Sequence, residues 1–219
     1  IQGKLQRVLE RMTEEEIDLQ GSGRTDAGVH AKGQIAHFHT KAVWDAEQIK
    51  KYMNEYLPED IAILQIEQVD GRFHSRLNAK SKTYEYRIYK GSKPDVFERR
   101  YVWPMEEKLD VAKMREAAGH LTGTHDFMAF CGNRRMKKTT VRTIYQIEIE
   151  ETEHEIRMRF TGSGFLQNMV RILTGTLVEV GRGERTPEDM EWILESRDRQ
   201  QAGFLMPAKG LALMEVKYK

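Results

Sequence analysis

This chain of 219 residues has little with which to cross-link itself. Its single cysteine, Cys131, has no partner for an internal disulfide and fits a reducing compartment or simple indifference to redox state. No apolar run approaches the length needed to cross a bilayer, so a membrane-spanning helix is not expected. An excess of charge of one sign is also missing: 35 Lys and Arg face 34 Asp and Glu, so any polyanionic partner must be argued from local clusters. CxxC and HExxH patterns are absent, which argues against a zinc site, and neither a Walker loop nor a dinucleotide fingerprint suggests phosphate transfer. His37 and His39 share one face of an expected strand with His30 not far off, but no third ligand stands at a usual spacing. The sequence opens Ile-Gln-Gly without an initiator methionine and so says nothing about a targeting segment.

What is present describes a globular protein, 39% apolar and 32% charged, long enough to bury a core in one or two domains. Ile1, Leu5, Val8, Leu9 and Met12 fall at helical spacing and predict an amphipathic helix over residues 1–12. Alternation predicts strands at 17–20, 34–40, 61–66 and 83–89, with a helix over 46–56. The second half repeats the idiom, with helices over 110–120, 165–180 and 187–196 and strands at 144–149, 155–160 and 211–216. We therefore expect an α+β fold of two halves, residues 1–93 and 94–219, joined near Lys90 to Pro104, where Gly91, Pro94 and Pro104 mark a connector.

One stretch stands apart: Gly21-Ser22-Gly23-Arg24-Thr25-Asp26-Ala27-Gly28-Val29-His30-Ala31. Three glycines surround a guanidinium, a hydroxyl and a carboxylate, a poor way to fill a core but a good way to shape a tight loop. Asp26 either caps its own turn, with Arg24 in water, or is presented for chemistry. Three further stretches have a bland reading beside a functional one. Tyr84, in Lys82-Thr83-Tyr84-Glu85-Tyr86, shares a strand face with Tyr86 and Ile88 and can be half-buried sheet filling. Arg171 falls opposite the apolar side of its helix, near Asn168, Thr174 and Gly175, and can be solvated, although small neighbours there would let another backbone or a ligand approach. Leu211, in Gly210-Leu211-Ala212-Leu213, reads as an ordinary apolar strand residue. The basic run Arg134-Arg135-Met136-Lys137-Lys138, with Arg72, Arg76, Lys80 and Lys82, is a solvated surface or a grip on a phosphate backbone.

Taken together, GRTDAGVHA in the loop, Phe73-His74-Ser75-Arg76 leading into the tyrosine strand, Gly164-Phe165-Leu166-Gln167-Asn168-Met169-Val170-Arg171, and Gly210-Leu211-Ala212-Leu213 resemble, in order, the motifs of the tRNA pseudouridine synthase A (TruA) family. Many relatives carry other polar residues, often histidines, where Gln167 and Asn168 stand. The resemblance implies two ferredoxin-like halves with mainly antiparallel sheets around a central cleft. In that family a strand precedes the first helix, whereas this sequence enters at that helix, so the first half reads as one strand short, with an exposed sheet edge expected. It implies isomerisation of uridines at positions 38 to 40 of the tRNA anticodon stem-loop, by a cytoplasmic homodimer without metal or organic cofactor. Asp26 is then the nucleophile, Arg171 its cationic partner, Tyr84 the active-site tyrosine, Arg24 the residue that fills the space left by the flipped base or holds its phosphate, and Leu211 an apolar wall beside the base. Arg76 is a substrate contact. The alternative is a non-catalytic RNA-binding or RNA-chaperone protein using the same basic surfaces.

Overall fold

The computed structural model describes residues 1–133 and 135–219; Arg134, in the basic run, lies outside them. In chain order the elements are α1 (Gln2–Thr13), β1 (Gln20–Gly21), β2 (His30–Ala31), β3 (Ala36–His37), α2 (Ala46–Tyr56), β4 (Ser81–Lys90), β5 (Trp103–Met105) and α3 (Val111–His120). They continue with β6 (Gly123–Asp126), β7 (Val141–Glu151), β8 (Glu155–Gly162), α4 (Met169–Gly181), α5 (Asp189–Ser196) and β9 (Leu211–Lys217). The fold is α+β with a mainly antiparallel sheet. No helix among the described residues is long and apolar enough to cross a membrane.

Two compact units result, Ile1–Arg24 with Gln34–Ala79 and Thr25–Gly33 with Lys80–Lys219. This division differs from the expected one after residue 93, because β4 pairs with β5, β8 and β9 and is thereby part of the second unit.

In the first unit α1 and α2 bury Leu9, Met12, Ile49 and Met53 in a core shared with Ile17, Leu19 and Leu57. α2 begins where its cap dictates: the Asp45 carboxylate accepts from the Gln48 amide at 2.7 Å and the Gln48 side chain accepts from the Asp45 amide at 3.1 Å, a reciprocal capping box. The strand expected at 61–66 is absent. Ile61, Ile63 and Ile66 still pack on the core, but the backbone of Ile63 pairs with the Asn54 carboxamide at both its amide (2.7 Å) and its carbonyl (2.9 Å), so a side chain takes the place of a neighbouring strand. The strands expected at 17–20 and 34–40 contract to a two-rung ladder between β1 and β3.

The second unit is a seven-stranded sheet in the order β2-β9-β4-β8-β7-β6, with β5 on β4. Helices α3, α4 and α5 contribute Met114, Leu173, Leu177, Val178, Met190 and Ile193 to its core. β5 and β6 were not anticipated: Trp103-Pro104-Met105 contains a proline, and Gly123-Thr124-His125-Asp126 has no apolar alternation to read. α4 starts four residues later than its periodicity predicts, because Asn168 takes a left-handed backbone at φ 61° and ends the regular helix there. From Met169 onward nearly every residue of α4 is buried, on both the apolar side and the side that carries Thr174 and Gly175.

Candidate active site

The glycine loop is tied down at both ends. In the first unit the Ser22 amide donates to the Ile35 carbonyl at 2.7 Å and the Ser22 hydroxyl to Gln34 Oε1 at 2.6 Å. In the second unit His30 and Ala31 run parallel to Ala212 and Leu213 of β9, and the Lys32 amide donates to the Leu213 carbonyl at 2.8 Å. Between these anchors the Val29 amide donates to the Asp26 carbonyl at 3.1 Å, closing a turn whose third residue, Gly28, sits at φ 81°. A side chain would be strained at that angle, so glycine is required there.

The backbone of Asp26, not its carboxylate, closes the turn. The carboxylate is left for another partner, and Oδ2 accepts from Arg171 Nη1 at 3.2 Å. Asp26 keeps 30% of its side-chain surface exposed and Arg171 only 13%, which removes the reading of Arg171 as a solvated side chain. The guanidinium is fixed in two further directions: Nε donates to the Met206 carbonyl at 2.7 Å, and Nη1 also donates to Asn168 Oδ1 at 3.2 Å. A planar guanidinium with five donors suits such multi-point holding, which an ammonium could not reproduce.

The Met206 carbonyl comes within reach because glycines let two backbones meet. A Cβ on Gly175 of α4 would stand 2.0 Å from the Phe204 carbonyl oxygen, and one on Gly203 would stand 2.7 Å from Thr176 Cα. The small residues beside Arg171 thus admit another backbone, the segment 203–206. The Gly203 amide donates to Thr176 Oγ1 at 2.9 Å and the Phe204 amide to Glu179 Oε1 at 3.1 Å, so the segment is stitched along α4.

Tyr84 lies on β4, with Phe165 edge-on to its ring at a centroid distance of 5.3 Å. Burial, reinforced by the negative charge of Asp26, pushes the phenol up to about 12, so Tyr84 is a neutral O–H donor at physiological pH. Leu211 is 5% exposed and lies across from Tyr86 in the β4–β9 pairing, as part of the core. Asp26, Tyr84, Arg171 and Leu211 therefore all belong to the second unit, whereas Arg24 and Arg76 belong to the first, where both are exposed.

Asn168 as a ligand of Arg171, the Met206 carbonyl and the Phe165 ring were not picked out from the sequence as parts of the site. Asn168, three residues before Arg171, had a visible signal in its spacing; a main-chain carbonyl has none. His37 is engaged by Ser75, whose Oγ lies 2.9 Å from Nδ1, and burial together with His74 and His39 lowers its pKa. Among the described residues no group of three or more His, Cys, Asp and Glu is arranged to hold a metal ion.

Comparison with known proteins points one way. A family model described as tRNA pseudouridine synthase matches residues 1–77 and 117–219. The chain is 46% identical to a tRNA pseudouridine synthase A of Bacillus sp. (strain KSM-64) and 44% identical to the tRNA pseudouridine synthase A of Bacillus subtilis (strain 168). It is also 43% identical to tRNA pseudouridine synthase A 2 of Bacillus anthracis. Each of these alignments covers 100% of this chain and 89% of the relative.

Proposed function

Because the chain belongs to the tRNA pseudouridine synthase family and is an isomerase of that kind, we propose that it converts uridines at positions 38 to 40 of the tRNA anticodon stem-loop to pseudouridine, with Asp26 as the nucleophile. The observation that carries this reading is the partly exposed Asp26 carboxylate paired with a nearly buried Arg171, in a place where the Asp26 charge also reaches Tyr84.

The reaction breaks the bond from N1 to the sugar carbon and joins C5 to that same carbon; N1 gains a proton and C5 loses one, so composition is unchanged. Asp26 attacks C6 or the sugar carbon, or removes a sugar proton on an elimination route. A glycosidase would need a second carboxylate and a water; the group beside Asp26 is a guanidinium, which supports transfer within one nucleotide over hydrolysis. The Arg171 counter-charge holds the carboxylate in place without consuming it. A target base inside a stem or a stacked loop must leave the stack to be reached. Arg24, two residues before Asp26, takes the vacated space or the flipped phosphate, and Arg76 adds a substrate contact. Tyr84 presents an aromatic face to the uracil. By family analogy Tyr84 also helps to remove the C5 proton at the end. Leu211 forms the apolar wall beside the base. The enzyme works in the cytoplasm as a homodimer whose two subunits hold one tRNA, without metal or organic cofactor.

The test is Asp26→Ala assayed on tRNA. Pseudouridine leaves mass unaltered, so formation is followed by a carbodiimide adduct or by tritium released from C5. Product should vanish while tRNA binding stays nearly intact; retained turnover would remove Asp26 as catalyst.

A further inference from the structure

We infer that Asn168 is a positioning residue for this reaction, holding the guanidinium of Arg171 in the plane that presents it to Asp26; the inference rests on the reading of Asp26 as the reacting carboxylate. Three observations meet at Asn168. Its Oδ1 accepts from the same Arg171 Nη1 that serves Asp26, each contact being 3.2 Å. A terminal guanidinium nitrogen carries two hydrogens, so one Nη1 supplies both acceptors without competition.

The second observation is what Asn168 does not do. It stands at the N-cap of α4, where an asparagine ordinarily accepts from an amide in the first turn, yet its side chain makes no capping bond. The carboxamide is turned to Arg171 instead. The third is the backbone, left-handed at φ 61°, a conformation that asparagine and glycine adopt more readily than other residues and that sets the direction in which the carboxamide leaves the chain. A helix whose N-cap side chain makes no capping bond leaves that carboxamide to its contact with Arg171.

Gly132 confines the other side of the carboxamide. A Cβ at 132 would stand 2.5 Å from Asn168 Nδ2, and the Gly132 amide donates to the Gln167 carbonyl at 2.8 Å. With the nitrogen side against Gly132, the oxygen faces the cation, the orientation that a donor-only guanidinium demands. The chemical consequence follows from the reaction. While Asp26 is bonded to the nucleotide, or carries the proton it has removed, its charge no longer holds Arg171. The Met206 carbonyl and Asn168 then keep the guanidinium in register, so that the carboxylate finds its partner again on release.

The experiment compares Asn168→Gly, Asn168→Asp and Asp26→Ala in steady-state turnover of tRNA and in thermal unfolding. Glycine tolerates the left-handed backbone and lacks the acceptor. N168G should therefore melt at or above the wild-type temperature while kcat falls about ten-fold and KM for tRNA stays unchanged. N168D returns an oxygen acceptor to the same place and should recover part of the lost kcat. A merely structural role would lower the melting temperature and would not split kcat from KM. Wild-type kcat in N168G, or N168D no faster than N168G, would overturn the inference. The two readings fail separately: turnover by D26A defeats the assignment of Asp26, whereas an inactive D26A beside a fully active N168G defeats only the role of Asn168.

Discussion

The hydroxyl of Tyr86 donates to the carbonyl of Pro207 at 2.7 Å, and the residue before that proline, Met206, gives its own carbonyl to Arg171 Nε. One fully buried phenol on β4 thus fixes the segment on which the guanidinium leans. The ring in turn lies against Gly210, where a Cβ would come within 2.7 Å of Tyr86 Cζ.

Tyr86→Phe keeps the ring and removes the donor, leaving the Pro207 carbonyl without that partner. It should cost about 1–2 kcal/mol of stability and lower turnover several-fold, because Met206 is then held less firmly. Urea unfolding and tritium release read the two effects, and wild-type values in both would contradict the link between Tyr86 and Arg171.

Arg171→Met replaces the guanidinium by an apolar chain of similar reach. Asp26, Asn168 and the Met206 carbonyl each lose a donor at once, and turnover should fall by about 10- to 100-fold. Arg171→Lys should recover little, since a point charge cannot serve three acceptors in a plane. Wild-type rates in R171M would reject the ion pair as part of the machinery.

Gly175→Ala would place a methyl group 2.0 Å from the Phe204 carbonyl oxygen, and the obstacle is backbone that is itself bonded to α4. Destabilisation of at least about 2 kcal/mol is expected. Gly119→Ala is the contrasting case: it lies in α3 with nothing within 4 Å of an added Cβ, so it should be neutral or stabilising by about 0.5–1 kcal/mol. Chemical denaturation of the pair separates close approach from helix propensity; equal effects would refute the distinction.

Stability should decline in alkali. Burial raises Tyr84 and Tyr218 from 10.0 to about 12, and raises Tyr86 further. In the unfolded chain these phenols lose their protons near pH 10, while the folded protein still retains them; above that point the unfolded state binds fewer protons, and stability falls as pH rises toward the folded values. The contribution is fully present below pH 10 and lost between about 10 and 12. Over that range the melting temperature of wild type should fall more steeply with pH than that of Tyr84→Phe, which lacks one of these phenols. Tyrosinate absorbance from Tyr84 appearing near pH 10 in the folded protein would exclude it.

Much of the fold was legible where the signal is local. The helix over residues 46–56 lies where its spacing and the Asp45–Gln48 box put it, because both act within a single turn. The helix over 165–180 was legible as a helix but not in its surroundings. Its periodicity suggests one wet side, yet the Gly203–Met206 segment lies along it, meeting it through Gly175 and Gly203, and Arg171, which periodicity alone leaves in water, is nearly buried. Ile61, Ile63 and Ile66 carry an apolar pattern that a strand would show, and they pack as one would, but the pattern is silent on whether a neighbour exists to complete the ladder.

At the site the same division holds. The glycine loop announces a shaped turn, and its Asp and Arg offer groups that chemistry could use, because residue type and backbone freedom belong to the individual positions. That Asp26 meets Arg171, 145 residues away, and that Arg171 is also bonded to Asn168 and to the carbonyl of Met206, was decided by the tertiary structure. The physical reason is that a hydrogen bond depends on where two groups lie in space: local sequence sets the donors and acceptors each segment can offer, and only packing of the sheet, α4 and the 203–206 backbone brings a particular pair within about 3 Å of each other.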